Sequence, residues 1–161
     1  MSEQEPINGF AVAVVREDGR WRCDAMDPSA LRELDAAITE LRKIRSTGAV
    51  FGMLAVDDDF FLLLRPSPGG VTFLLSDASA ALDYDIAADV LDVLRVEPPD
   101  EDEEPWPEGR MDIVADLGLP GPELEVIITE VDRYPDEQLQ MIAERCGFGD
   151  EFSQLLDRIL R

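Results

Sequence analysis

VFGMLAVDDDFFLLLRPSPGGVTFLLSD, residues 50–77, holds three short apolar runs, Val50–Val56, Phe60–Leu64 and Val71–Leu75. They are cut apart by Asp57-Asp58-Asp59 and by Pro66-Ser67-Pro68-Gly69-Gly70. Valine, phenylalanine and leucine between such breakers spell three strands joined by tight turns. Each run is apolar at consecutive positions and does not alternate, so both faces of this part of the sheet need cover.

Working outward toward the N-terminus, Phe10–Arg16 and Arg20–Ala25 flank Asp18-Gly19, a dipeptide that accepts positive φ at both positions and so suits a two-residue type I′ hairpin. With that loop, Phe10, Val12 and Val14 share a face with Trp21, Cys23 and Ala25, while Ala11, Ala13 and Val15 share the other with Arg22 and Asp24. The first set is the expected core face, which makes Cys23 a small buried hydrophobe before it is a nucleophile. Residues 1–8 are polar and expected to be flexible.

Two amphipathic helices frame the three strands. Asp27 followed by Pro28 is a capping side chain with proline at the first helical position, and a helix is expected to run from there to Ser46, with Leu31, Leu34, Ile38 and Leu41 on one face and Gly48 closing its end. Arg42, Lys43 and Arg45 fall in its last turn. They read as a small phosphate-seeking patch or, more simply, as cations favoured by the helix dipole. Asp77 or Ser79 caps a second helix expected over Ala80–Arg95. Its apolar face is Leu82, Ile86, Val90 and Leu94, and its opposite side carries Asp85, Asp89 and Asp92, with Asp83 nearby. Like charges at this spacing cost a few tenths of a kcal/mol per pair. The stripe is a candidate docking surface for a basic partner, weighed against a solvated face that needs no partner.

The fold class is therefore α+β. Residues 9–96 give the order ββαβββα, expected as a five-stranded antiparallel sheet with helices on both faces, and this order resembles the longin, roadblock and profilin-like folds. Those folds mostly serve as binding platforms, an analogy that does not fix a function. Residues 97–108, EPPDEDEEPWPE, carry seven acidic residues, four prolines and no basic residue, the composition of a solvated linker. Trp106 within it is either an anchor of the linker on one half of the chain or a recognition element for a partner. Residues 109–161 read as a helical C-terminal domain. It comprises a short helix at Met111–Leu117 stopped by Gly118, and a segment after Pro120-Gly121-Pro122 with Leu124, Ile127, Ile128 and Val131 that suits helix or strand. Two helices follow, one from Pro135 or Asp136 to Gly147 and one from Asp150 that carries Phe152, Leu155, Leu156, Ile159 and Leu160. About 50 residues of short helices make a marginal core alone, so they are expected to lean on the sheet domain or on another chain.

The chain has 36 acidic and 14 basic residues among 161, a formal net charge of −22. Such a polyanion repels nucleic acid and anionic membrane surfaces, so direct nucleic-acid binding is disfavoured and a basic protein partner is favoured. Cys23 and Cys146 are far apart and outside any metal or disulfide spacing. A cytoplasmic location is expected from that thiol usage and from the lack of a signal-like N-terminus. There is no histidine, which removes the commonest general base, the Ser-His and Cys-His pairs and most zinc ligand sets. No phosphate loop is present, and no cofactor is expected. Asp57-Asp58-Asp59 could offer oxygen ligands to a divalent cation, but three adjacent residues in a hairpin turn cannot all converge on one ion.

Phe10–Trp21 (FAVAVVREDGRW), Phe51–Pro66 (FGMLAVDDDFFLLLRP), Asp116–Pro120 (DLGLP), Tyr134–Leu139 (YPDEQL) and Gly147–Phe152 (GFGDEF) together resemble the actinobacterial tRNA adenosine deaminase-associated protein family over nearly the whole chain. The resemblance carries no catalytic or binding residues. It implies a cytoplasmic accessory protein that works with a tRNA adenosine deaminase as its partner. Such deaminases need H-x-E and P-C-x-x-C, and this chain has neither. The expectation is a non-catalytic interaction protein, with Asp85, Asp89, Asp92 and Trp106 as partner-binding candidates. The rivals are a self-associating module, a homodimer paired through a free sheet edge, and an enzyme using carboxylates and a divalent metal.

Overall fold

Asp18 (φ 53°) and Gly19 (φ 74°) both take positive φ, the type I′ geometry whose twist matches the flanking strands. They join β1 (Gly9–Glu17) to β2 (Arg20–Ala25) with Glu17 opposite Arg20, Val14 opposite Cys23 and Val12 opposite Ala25, the register expected from the dipeptide. The computed structural model describes residues 8–104, 106–130 and 133–159; the expectations placed on residues 1–7, Val131 and Leu160 lie outside them. The central stretch forms β3 (Ala49–Val56), β4 (Phe60–Ser67) and β5 (Gly70–Leu75), all antiparallel.

The sheet has six strands where five were expected, in the order β2-β1-β3-β4-β5-β6. The sixth, β6 (Glu108–Gly109), comes from the end of the acidic segment and pairs with Leu75 and Leu74. It is held by backbone alone. Gly109 sits at φ 118°, and a Cβ there would stand 2.1 Å from the Phe73 carbonyl oxygen, so only glycine lets the chain come this close. A two-residue strand carries no side-chain periodicity, which is why the sequence does not announce it.

Alternation along the strands sorts their side chains onto two cores. Phe10, Val12, Val14, Phe51, Met53, Phe61, Leu63 and Leu74 face one side. Ala11, Ala13, Leu54, Val56, Leu62, Leu64, Phe73 and Leu75 face the other. The second face is covered by both α1 (Leu34–Arg42) and α2 (Asp85–Leu94), through Leu34, Ala37, Leu41, Ile86, Ala87, Val90 and Leu91, so residues 9–96 do not put helices on both faces as expected; their apolar stripes face the same side of the sheet. The first face is covered by the C-terminal helices α3 (Gly121–Thr129), α4 (Pro135–Cys146) and α5 (Gly149–Ile159), through Leu124, Ile127, Leu139, Ile142, Phe152 and Leu155. These helices do lean on the sheet.

Both N-terminal helices start later than their periodicity predicts, for one reason, and the first also ends at Arg42 with Lys43 as its C-cap, short of the expected Ser46 and Gly48. Asp27 and Asp77 each accept a hydrogen bond from the backbone of the residue two ahead, Ser29 and Ser79, at 2.9 Å. Each cap starts only a 3-10 turn, Pro28–Leu31 and Ala78–Leu82. The chain then straightens at Glu33 (φ −121°, ψ 113°) and at Tyr84 (φ −130°, ψ 124°) before the α-helix begins. Leu82, expected on the apolar face of the second helix, therefore lies outside α2 and is 44% exposed. Met111–Leu117 likewise forms turns ending in a 3-10 turn at Ala115–Leu117 in place of a short helix. The ambiguous 121–129 segment is helical, with Leu124 and Ile127 buried one turn apart.

Three contacts hold the C-terminal layer together and to the sheet. The Gln138 side-chain amide, buried on α4, donates to the carbonyls of Ile127 and Ile128 at 3.0 and 3.2 Å, satisfying the open end of α3. Phe148, in the α4–α5 turn and fully buried, lies 4.6 Å from the Trp21 ring, 6.0 Å from Phe51 and 6.5 Å from Phe152, centroid to centroid. From the sheet, Arg65 reaches up to clamp Asp116 with two bonds of 2.7 and 2.9 Å and the Ile113 carbonyl with a third. The guanidinium beside it holds the Asp116 carboxyl below the usual carboxylate range.

Candidate functional site

On α2 the residues Ile86, Ala87, Val90 and Leu91 are buried against the sheet, which turns Asp85, Asp89 and Asp92 outward. All three are exposed, as is Asp83 just before the helix. Their spacing of four and three residues stacks them along one side of the helix. The structure adds a carboxylate that the sequence did not place with them. Asp35, exposed in the first turn of α1, is close enough to act on Asp89 across the two helices. Partial burial first, then the negative charges of Asp85, Asp92 and Asp35, push the Asp89 carboxyl up from its ordinary value. Among the described residues none of these carboxylates is in an ion pair, and such a surface is one that a basic partner would relieve.

Trp106 is placed by its backbone while its ring stays outside. Its carbonyl accepts the Ala78 amide at 2.8 Å, two residues before β6, and its side chain is 65% exposed. The ring therefore does not anchor the segment on either layer. Exposed Glu103 and Glu104 precede it closely in the chain. The basic cluster at the end of α1 is partly used internally, since Arg42 donates to the carbonyls of Ser67 and Gly70 at 3.2 Å each. That closes the β4–β5 turn and weakens the reading of a phosphate patch.

The Asp57-Asp58-Asp59 turn is tied down by local bonds. Asp57 Oδ1 accepts from the Asn8 amide at 2.8 Å, and the Tyr84 hydroxyl lies against Asp57 Oδ2 at 2.6 Å and against Asp59. Burial first, then these hydrogen bonds, raise the Tyr84 hydroxyl well above its ordinary pKa. Among the described residues no group of three or more metal-ligating side chains converges.

The two thiols are equally withdrawn. Burial, then the charges of Glu151 and Asp24, push Cys23 up to about 12, and burial, then the charge of Asp116, pushes Cys146 up to about 11. At neutral pH both are protonated and unreactive. A disulfide reagent at pH 8 is expected to find no fast thiol in the folded protein and two in denaturant. One fast-reacting cysteine in the native state would show that the packing over Cys23 or Cys146 is open.

A family model for the Rv3753c-like tRNA adenosine deaminase-associated protein matches residues 9–149. Protein Rv3753c of Mycobacterium tuberculosis (strain ATCC 25618 / H37Rv) is 57% identical over 157 residues, covering 96% of this chain and 91% of its own. No solved structure matches.

Proposed function

The chain belongs to the Rv3753c-like tRNA adenosine deaminase-associated protein family, and from that premise we propose that it is a non-catalytic cytoplasmic accessory protein that binds a tRNA adenosine deaminase. The sheet and its helices act as a binding platform. The observation that carries this reading is the acidic surface shared by α1 and α2, where Asp85 and Asp92 on one helix and Asp35 on the other act on Asp89 and, among the described residues, none of the four carboxylates is in an ion pair. A deaminase acting on tRNA must present basic surface to phosphate. A surface of opposite sign on an accessory protein can occupy the same region, controlling access or keeping the free enzyme soluble. Trp106, exposed within the acidic segment, supplies an aromatic contact of the type that anchors interfaces.

Mixed with the deaminase of its own organism, the protein is expected to co-elute at low ionic strength and to separate as salt screens the contact. The variant carrying Asp35→Asn, Asp85→Asn, Asp89→Asn and Asp92→Asn is expected to bind about tenfold or more weakly. Its stability should change by no more than about 1 kcal/mol, because relief of like-charge repulsion on the helix face opposes the loss of the first-turn carboxylates Asp35 and Asp85. No complex at low salt, or a complex indifferent to all four substitutions, removes the proposal.

A further inference from the structure

The sheet ends at β2 with a six-residue strand, and among the described residues nothing pairs with its outer edge. Which groups that edge offers follows from the register. Met26 donates its amide to the Ala11 carbonyl at 2.8 Å. The antiparallel alternation then turns the amides and carbonyls of Arg20, Arg22 and Asp24 toward β1 and those of Trp21, Cys23 and Ala25 outward. An open row of backbone groups is a template for another strand. Arg22 and Asp24 stand beside it on the same face, 56% and 55% exposed, joined to each other at 2.8 Å.

Charges on an edge usually repel a newcomer, but this pair is selective. Consider a second copy of the same strand laid antiparallel. Pairing centred on Arg22 sets arginine against arginine, and pairing centred on Asp24 sets aspartate against aspartate. Pairing centred on Trp21 opposes Arg20 to Arg22. Pairing centred on Cys23 instead places each Arg22 opposite Asp24 of the second copy, twice, in the closer non-hydrogen-bonded positions. It also uses the outward groups of Trp21, Cys23 and Ala25 in one unbroken ladder.

We propose that two copies of this chain associate through β2 in that register, forming one continuous twelve-stranded sheet about a two-fold axis at Cys23. The contact is isologous, as a two-fold dimer requires. Each copy carries a net charge of −22, so association must overcome repulsion and strengthens as salt screens it. That is the opposite salt response to the one expected for a basic partner, so this proposal and the reading above fail independently.

Sedimentation velocity on the full chain, from low micromolar to hundreds of micromolar and at low and moderate salt, is expected to show a monomer–dimer equilibrium favoured by salt. Arg22→Glu or Asp24→Arg alone should weaken the dimer about tenfold or more, because two favourable cross-strand pairs become two unfavourable ones. The double variant R22E/D24R restores opposite charges at both positions and should return to within about threefold of the original. Unchanged thermal unfolding of each variant separates loss of pairing from loss of fold. A monomer under every condition overturns the proposal. So does a dimer indifferent to the single reversals, or one that the double variant fails to rescue.

Discussion

Phe148→Ala is expected to lower the free energy of unfolding by about 3–5 kcal/mol, the range for truncating a fully buried aromatic residue. Phe148 is 0% exposed and bridges the α4–α5 turn to Trp21 of the sheet edge and Phe51 of its centre. Its loss opens a hollow where three aromatic rings meet, and neither the hairpin nor the helix pair can close it without breaking register. Urea unfolding gives the magnitude, and tryptophan emission gives the place. In a Trp106→Phe background the remaining indole is Trp21, whose emission should shift to the red when its covering ring is removed. A loss under about 1 kcal/mol would mean that the site collapses freely, and the layer would not depend on this ring.

Leu41→Ala is expected to cost about 2–5 kcal/mol, and its coupling to Gly52 is the sharper test. Gly52 lies in β3 opposite Ala13 and Leu64. A Cβ at Gly52 would stand 3.0 Å from Leu41 Cδ1 and 3.0 Å from Leu64 Cδ2. The missing side chain makes the dent into which α1 drops Leu41, itself 1% exposed. Gly52→Ala alone should therefore destabilise by about 1–3 kcal/mol through overpacking. In the Leu41→Ala background one of these two close contacts is gone and only Leu64 must give way, so the double variant should be better than the sum of the singles by about 1 kcal/mol or more. Strict additivity would show that the two residues do not share a packing site.

Where a residue's own chemistry dictates the backbone, the fold was legible. Asp18-Gly19 gave the hairpin, its loop length and thus the core face of both strands. The breakers at residues 57–59 and 66–70 gave three central strands to within three residues at each end. Helix length was not legible, because Asp27 and Asp77 are good caps whether they start one turn or four. What shortens the helices is the straightening at Glu33 and Tyr84, neither of which is a helix breaker. The sixth strand escaped because Gly109 contributes only backbone. In the candidate surface, the period of Asp85, Asp89 and Asp92 is visible along the chain. Asp35 is not, since its nearness to Asp89 depends on how two helices pack.

The C-terminal helices close the sheet face that holds Phe10, Phe51, Met53, Phe61 and Leu63, and they are made after the five strands they cover. A growing polypeptide completes its hairpins and the α1–α2 layer while that greasy side is still bare, with its lid not yet synthesised. Until α4 and α5 emerge from the ribosome, the half-made protein exposes a broad apolar surface of the kind that makes partly folded chains prone to aggregate.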